Sequence, residues 1–456
     1  PDVSNRAADS PKNKLAKYIP VAKEIILARV ASPITMDRTV QHLFLSNLKS
    51  HFESRHRVVC KDQYIPILLD TYLARSLFTS YEGSGKFPDL IPQGIANDIA
   101  WFKVTGGTVE FDQSIAEDNE FDSTSTPVPT SVEMVPGQQY MVDSSKTRMI
   151  QSGIVSDLRP FGKDLKKKSN EVNSNDFNTL REYLNLDKLF AYPNVNQGTS
   201  DTFVYAKQLR KIFQTSFVTK GKIKLQTTIL LTSMSRSIGK STLVRSICEE
   251  YSANLLEFDG YELLNPSSVG KTIGIIRGKI DRLVTSCGRL VIFIKHIDAL
   301  AKKTDPQQQQ SMGNNKDSLS LKLAELIDEY TNNDIIFITS SSDVDSISEI
   351  IRAKLKFEIN INVPSELERK LIFQYLLDFK QTNNIQSISN SLCDGLDFEN
   401  TILNTDEYNF SLGDDVSQET LALQSAGLTP RDLASIVDSA KNLAIDRLDD
   451  MSINEK

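Results

Sequence analysis

The residues in this chain that are best suited to do chemistry are Gly239, Lys240 and Ser241, which stand together in one short loop. An apolar, β-branched run from Thr228 to Thr232 precedes them, and a segment with apolar residues at helical spacing follows. A buried strand, a loop and a helix in this order bind phosphate, because the backbone N–H groups at a helix N-terminus attract anions. The lysine ammonium then reaches the outer phosphates of a nucleoside triphosphate, and the serine hydroxyl meets Mg²⁺.

This loop departs from the full phosphate-loop pattern at one position. The pattern G-x-x-x-x-G-K-[ST] has a glycine where this chain has Met234, although the half that holds the phosphate is intact. We predict that the whole loop binds the nucleotide, namely Met234, Ser235, Arg236, Ser237, Ile238, Gly239, Lys240, Ser241 and Thr242. The alternative is a Gly-Lys-Ser helix start without a ligand, and the loop alone does not decide between the two.

Length and composition are those of a multidomain globular protein. The 456 residues predict two or three domains, and apolar residues make up 39% of them, which is enough for ordinary cores. The net charge of −7 and the pI near 5.4 differ from the basic character of nucleic-acid-binding domains, so no nucleic-acid partner is expected. No stretch approaches the roughly 18 apolar residues of a membrane helix, so no direct membrane span is expected.

Cysteine usage and the start of the chain bear on the cellular setting. Cys60, Cys248, Cys287 and Cys393 lie far apart without a C-x-x-C pair, which indicates reduced core thiols and a cytoplasmic location. The chain has neither a signal peptide nor an initiator Met, so we expect a segment of a longer protein.

A change of pattern near residue 200 indicates how the chain is divided. Residues 1–195 are rich in strand-like runs and predict a β-rich α+β N-terminal domain with a linker. Between 196 and 363, strands alternate with helices, which predicts a parallel sheet with helices on both faces. Residues 364–456 are helical and predict a small, separate helical lid. The predicted fold class is therefore α/β, preceded by an α+β domain.

Ordered blocks in the second half resemble the motifs of the AAA+ ATPase family, over roughly residues 200–450. After the phosphate loop, Leu290 to Leu300 resembles the family's second nucleotide motif, and Phe337 to Ser342 resembles its first sensor strand. Asn362 to Arg369 is similar to the entry into the family's lid. The resemblance implies a P-loop AAA+ module with ATP as its cofactor.

A further block, Gly427 to Leu433, resembles the lid segment that lies near the adenine in this family. The resemblance therefore adds Pro430 and Arg431 to the expected nucleotide-binding residues.

The sequence departs from the family where the family hydrolyses ATP. An acidic residue that holds Mg²⁺ and a glutamate that activates water are replaced by Lys295 and His296, so the Walker B motif is degenerate. The sensor residue, usually asparagine, is the shorter Ser342. Arg352 is the candidate arginine finger, with a plain helix charge as its alternative. Ser268 stands where the family's pore has an aromatic residue that grips substrate.

These departures imply a domain that binds ATP but hydrolyses it poorly, and no residue is predicted to be catalytic. A lysine repels a metal ion, which makes Mg²⁺ a doubtful cofactor and leaves Ser241 as the one candidate ligand. The Lys295 charge could instead stand in for the metal near the phosphates. Two alternatives stay open: a hydrolysis-active domain in which His296 or another residue acts as the base, and a nucleotide-free scaffold.

The first half extends the resemblance. Residues 39–112 are similar to the second N-terminal subdomain of valosin-containing-protein-type ATPases, and the combination resembles the type II AAA+ ATPases of peroxisome biogenesis. The resemblance implies a protein unfoldase or translocase that exports and recycles the peroxisomal import receptor. This ring would serve assembly, and an active second ring would lie beyond Lys456.

The same resemblance implies partners and a location. The expected partners are a related peroxin-one-type ATPase in a hetero-hexamer, a tail-anchored peroxisomal membrane tether, and the ubiquitinated import receptor as substrate. The expected location is the cytoplasm, with recruitment to the cytosolic face of the peroxisomal membrane.

Overall fold

Contacts in the computed structural model divide the chain into two compact units. The first comprises Pro1–Val30, Arg38–Asp89 and Ile99–Val155, and the second comprises Ala31–Asp37, Leu90–Asp98 and Ser156–Lys456. The structure describes residues 19–53, 57–84, 96–110, 131–160, 176–193, 202–219, 225–264, 269–303, 315–331, 335–377, 412–413 and 416–454. Within those ranges, no helix is both long enough and apolar enough to cross a membrane.

The first unit is rich in strands, as the sequence predicted. Its described elements are β1 (Ala22–Val30), α1 (His42–Glu53), β2 (Arg57–Cys60), β3 (Tyr64–Leu69), α2 (Thr71–Ser84), β4 (Asp98–Glu110), β5 (Ser131–Glu133), β6 (Gln139–Val142) and β7 (Arg148–Val155). The main sheet has the order β3-β4-β1-β7 with β5 paired to β4, while β2 and β6 form a separate pair. Strand β1 runs antiparallel to β4 and parallel to β7.

The long strand β4 continues through Gly106 and Gly107, although a glycine pair favours a turn. Gly107 lies opposite Ile25 of β1, and a Cβ there would stand 2.2 Å from the backbone oxygen of Glu24. The glycine therefore allows the two backbones to approach closely, and the strand continues through it.

Acid should destabilise the first unit, because His51 on α1 is held neutral in the folded state. Burial and, secondarily, the charge of Arg57 lower the pKa of His51 from 6.5 to about 4. Below pH 6.5 the unfolded chain binds a proton that the folded chain does not. The free energy of unfolding then falls by up to about 1.4 kcal/mol per pH unit, until the folded pKa is reached. Denaturant unfolding between pH 7.5 and 4 measures this slope.

The matched variant for this test is His51→Asn, which has no titrating ring. Its unfolding free energy should fall less steeply than that of the parent chain across the same pH range. Equal slopes in the two chains would contradict the assignment to His51.

The second unit is an α/β domain with a helical lid. Its described elements are α3 (Asp176–Tyr183), α4 (Val204–Thr219), β8 (Thr228–Thr232), α5 (Lys240–Glu250), β9 (Asn254–Asp259), α6 (Gly260–Leu263), α7 (Val269–Val284), β10 (Leu290–Lys295), α8 (Ile297–Leu300), α9 (Asn315–Thr331), β11 (Ile336–Ser341), α10 (Glu349–Arg352), β12 (Phe357–Asn360), α11 (Glu366–Leu376), α12 (Gln418–Gln424) and α13 (Pro430–Asn454). The sheet order is β12-β8-β11-β10-β9, and every pairing in it is parallel.

Apolar side chains alternate along the central strands and build one core on each face of the sheet. On one face, Leu231 and Phe293 are buried with Val244 of α5. On the other face, Leu230 and Ile292 are buried in the core that also contains residues of α7 and α9. Covering both faces explains the continuous apolar runs that the strands show in the sequence.

The last part of the predicted N-terminal domain belongs instead to the second unit. Phe190 and Tyr192 precede the expected boundary at 195, yet both are buried in the core with α5. The hydroxyl of Ser246 on α5 donates to the Phe190 carbonyl oxygen at 2.8 Å. The segment before α4 is thus part of the α/β domain rather than a linker.

A buried ion pair fixes this segment and joins α4 to α5. The Arg210 Nε donates to Glu250 Oε2 at 2.8 Å, and both side chains are largely buried. The other guanidinium nitrogens donate to the carbonyl oxygens of Tyr192 at 2.6 Å and Pro193 at 3.1 Å. One arginine therefore satisfies a buried carboxylate and the end of the preceding segment.

Arg210→Met should destabilise the second unit by about 3–5 kcal/mol, because it removes the guanidinium that pairs with the buried Glu250 carboxylate. Arg277→Met is the matched control, since Arg277 pairs with Glu329 at 2.6 Å but both side chains are about half exposed. The Arg277→Met change should lower the free energy of unfolding by only about 0–1 kcal/mol. Denaturant unfolding of both variants gives the comparison, and equal losses would contradict the special role of the buried pair.

Candidate nucleotide-binding site

The loop between β8 and α5 places the predicted phosphate-binding residues at the carboxyl edge of the sheet. Gly239 immediately precedes α5 and has a φ of +93°, which a residue with a Cβ rarely adopts. No side chain caps the helix at this position. The first N–H groups of α5 are therefore the donors that an anion would meet there.

Met234 stands where the phosphate-loop pattern has its first glycine, and the structure shows how the loop forms without one. The Met234 side chain is 100% exposed and its φ is not positive. The left-handed conformation falls instead on Ser237, with a φ of +64°. The neighbouring Ile238 is buried in the core below the loop. The loop therefore keeps its turn while the methionine points into solvent.

The Lys240 ammonium is held inside this loop. Its Nζ donates to Ser233 Oγ at 2.5 Å, and the Ser233 hydroxyl donates to the Ser235 carbonyl oxygen at 2.7 Å. Desolvation lowers the pKa of Lys240, the Asp298 carboxylate opposes that shift, and Arg236 reinforces it. A phosphate would replace the missing hydration of this ammonium, which makes the site suited to a polyanion.

Lys295 pairs with a carboxylate that the sequence analysis did not identify. Its Nζ donates to Glu257 Oε2 at 2.6 Å, and the same carboxylate accepts from Arg245 Nε at 2.6 Å and Nη2 at 2.7 Å. Burial alone would raise the pKa of Glu257, but the two cations hold it below its usual value. The Lys295 charge is thus already compensated, which weakens the expectation that it stands in for a metal ion.

His296 follows β10 with an uncommon backbone conformation. Its φ of 54° and ψ of 53° are left-handed, and it begins the short helix α8 without a side-chain cap. Its ring lies 4.9 Å from that of Tyr261, centroid to centroid. The backbones of Gly260 and His296 also approach closely, since a Cβ on residue 260 would lie 2.3 Å from the His296 carbonyl oxygen. Among the described residues, no carboxylate hydrogen-bonds to the imidazole, so the orienter of a general base is lacking.

Next to the predicted sensor residue, a second serine that was not predicted to be functional contacts a carboxylate of the site. Ser341 ends β11 opposite Thr232 of β8, and its hydroxyl donates to Asp298 Oδ1 at 2.9 Å. The predicted sensor residue Ser342 follows directly, half-buried. Asp298 therefore links the sensor strand to the loop, because it also acts electrostatically on Lys240. A signal was present in the sequence, because Asp298 lies three residues beyond Lys295 within the second nucleotide motif.

The lid reaches the phosphate loop through Arg431. Pro430 begins α13, and Arg431 Nη1 donates to Ser237 Oγ at 3.2 Å. This contact brings together a lid residue and a loop residue that were both predicted to bind nucleotide, although they are 194 positions apart in the chain.

A buried glutamate ties the start of the lid to the segment before α4. Glu368 accepts from the Ser365 N–H at 2.9 Å in a capping box at the start of α11, and it also accepts from the Phe203 N–H. The Tyr375 hydroxyl of the same helix donates to the Lys188 carbonyl oxygen at 2.6 Å. The lid is therefore anchored at two points to the chain that enters the domain.

The two remaining predicted positions lie elsewhere. Arg352 is on α10, half exposed, with its Nη1 3.8 Å from Asp345 Oδ1. Its role as an arginine finger stays a prediction. The pore position Ser268 lies outside the described residues, which resume at Val269.

Comparison with protein families matches the two units separately. Residues 17–158 match the family model described as PEX6 fourth domain, and residues 231–365 match that of the ATPase family associated with various cellular activities, AAA. The first match covers the first unit from residue 17 onward together with short segments of the second unit, and the second match runs from the end of β8 through the sheet to the lid. The chain therefore contains an AAA ATPase domain, which is a nucleotide-binding module.

Similar proteins place the chain more narrowly. Proteins named Peroxisomal ATPase PEX6 include one from Pichia angusta, 50% identical over 449 residues that cover 97% of this chain and 35% of the relative. The one from Komagataella pastoris is 46% identical over 442 residues, 96% of this chain and 33% of the relative. The one from Saccharomyces cerevisiae is 26% identical over 437 residues, 94% of this chain and 37% of the relative.

The chain belongs to this PEX6 family of peroxisomal AAA ATPases. It spans about a third of the length of the curated relatives that it matches.

Nucleotide affinity should fall as the pH rises into the alkaline range. In the free site, desolvation lowers the pKa of Lys240, whereas a bound triphosphate would raise it again. Binding then takes up a proton wherever the free lysine is neutral, so the affinity weakens as the pH passes the lowered pKa. Calorimetric titration with ATP from pH 7 to 10 measures this loss. Lys240→Arg, whose guanidinium stays charged, should show a flatter profile, and matching profiles would contradict the prediction.

Proposed function

We propose that the second unit binds ATP at the loop from Met234 to Thr242 and hydrolyses it slowly or not at all. The observation that carries this proposal is the combination of a formed phosphate site around Lys240 with a paired lysine at the position of the metal-holding acid. Bound ATP then acts as a structural ligand. It stabilises the folded domain by mass action, in proportion to the logarithm of its concentration over its Kd.

Three features support slow hydrolysis. Lys295 brings no oxygen ligand for Mg²⁺, and His296 has no carboxylate orienter among the described residues. Ser342 is too short to hold a distant water where an asparagine would.

Within the whole protein, this segment would serve to assemble the complex rather than to drive protein unfolding by ATP hydrolysis. The PEX6 relatives are about three times as long, so a working ATPase ring can lie outside the matched segment. The whole protein would be an unfoldase or translocase that exports the ubiquitinated import receptor. It would act in a hetero-hexamer with a peroxin-one-type ATPase, in the cytoplasm at the peroxisomal membrane.

The first unit would then be the adaptor-facing module. Its match to the PEX6 fourth domain, separate from the AAA match, supports a role distinct from nucleotide binding. We assign to it the contact with a tail-anchored membrane tether.

Removing the lysine ammonium should abolish tight nucleotide binding. Lys240→Ala deletes a charged hydrogen-bond donor to the triphosphate, and an ATP titration should show an affinity loss of about 10- to 100-fold. Lys322→Ala, at an exposed position on α9, is the matched control and should bind like the parent chain.

In a parallel steady-state assay, the rate of ATP hydrolysis by the parent chain should stay near background. Turnover of about one per second that Lys240→Ala abolishes would overturn the proposed storage of ATP. An absence of ATP binding to the parent chain would show the loop to be a scaffold instead.

A further inference from the structure

Three charged side chains meet beside the phosphate-binding helix in what we call the Glu257 cluster, formed by Arg245, Glu257 and Lys295. The carboxylate in β9 receives two hydrogen bonds from Arg245 of α5, at 2.6 and 2.7 Å. It receives a third from Lys295 of β10 at 2.6 Å. Glu257 and Lys295 are about four-fifths buried, so their interaction is screened less than that of a surface pair.

The cluster lies on the face of the sheet that α5 covers. Phe293 is opposite Glu257 in the parallel register of β10 and β9, and it is buried in the core with Val244 of α5. Lys295 lies two residues beyond Phe293, so its side chain leaves the same face. It is also the last residue of its strand, at the carboxyl edge where open α/β sheets bind ligands. The ammonium therefore shares both the face and the edge with the start of α5.

The structure explains why Lys295 pairs with Glu257. Asp259 is directly opposite Lys295 in the register, but its side chain accepts from the Tyr261 N–H at 3.0 Å and caps α6. Glu257, two residues earlier on the same face, faces Arg245 as well. The lysine is thereby directed toward β9, which is at the far end of the sheet order from β8 and the phosphate loop.

We propose that Glu257 sets the metal dependence of nucleotide binding by holding the Lys295 ammonium away from the triphosphate. This inference rests on the proposed binding of ATP. With Glu257 charged, the Lys295 ammonium adds no positive charge at the metal-free triphosphate, and a divalent cation has negative charge left to neutralise. Without that carboxylate, the flexible lysine stem lets the ammonium turn toward the phosphates and take over part of the cation's role.

The test compares ATP affinity in EDTA with ATP affinity in Mg²⁺ for the 456-residue chain and for Glu257→Gln. The glutamine keeps the size of the side chain and removes its charge. We expect the variant to bind ATP about tenfold more tightly in EDTA, because one further positive charge acts on the triphosphate. The ratio of the ATP affinity in Mg²⁺ to the ATP affinity in EDTA should therefore be smaller in the variant than in the parent chain. Unchanged or weaker binding in EDTA overturns the proposal.

A second variant keeps the proposal testable if Glu257→Gln folds poorly. Lys295→Met leaves Glu257 paired with Arg245, and it should change the affinity in EDTA less than twofold, since the lysine charge does not reach the nucleotide in the parent chain. A tenfold loss in Lys295→Met would show that Lys295 already contacts the triphosphate, and would overturn the proposal. In the double variant, the gain from Glu257→Gln should disappear.

Glu329→Gln is the matched control, because it breaks an exposed pair of the same 2.6 Å length with Arg277. It should leave both affinities unchanged, and an equal gain there would overturn the assignment to the Glu257 cluster. If the parent chain binds no ATP in either buffer, the proposed function itself fails. Binding with an unaltered ratio in Glu257→Gln removes only the role of Glu257.

Discussion

The candidate site depends on the burial of β8 inside a parallel sheet. All five residues of Thr228–Thr232 are buried, and the strand is hydrogen-bonded to β11 on one side and to β12 on the other. A strand held in this way delivers the following loop to a fixed place at the carboxyl edge. The ends of β10 and β11 meet the same edge, which brings Lys295 and Ser341 to it. Buried apolar strands thus bring polar side chains from distant parts of the chain to one edge of the sheet.

The second unit compensates its buried charges in pairs and clusters. Glu250 is matched by Arg210, Glu257 by two cations, and Glu368 by backbone N–H donors at the entry to the lid. Removing one member of such a group costs more than the group contributes, because it leaves a charge without compensation. These contacts join the lid, the segment before α4 and the phosphate helix, and Arg431 connects the lid to the predicted phosphate loop through Ser237.

Local patterns in the sequence were enough to predict the sheet and the loop. The apolar, β-branched run of β10 and the Gly-Lys-Ser helix start each determine their structure from a few adjacent residues. The position of Phe190 and Tyr192 could not be predicted in this way, since a short apolar segment carries no periodicity and its core partners lie far along the chain. The continuous strand through Gly106 and Gly107 could not be predicted from the sequence either, because a glycine pair favours a turn unless another backbone packs against it.

For the candidate site, the sequence predicted several residues that lie there, but it did not predict which side chains they contact. Lys295 was identified as a departure from the family, but its partner Glu257 lies 38 residues earlier and on a different strand. Ser341 and Asp298 were missed for the same reason, since their hydrogen bond joins residues 43 positions apart. Pairings of this kind follow from strand order and register, which single-sequence patterns do not specify.

We propose above all that the second unit stores ATP without consuming it. This can be tested by identifying the nucleotide that copurifies with the 456-residue chain, and then following its chemical state in a single-turnover experiment. We expect ATP that remains uncleaved over many minutes. Conversion of the bound ATP to ADP within seconds would contradict it, because the domain would then hydrolyse ATP despite the paired Lys295 and the unoriented His296.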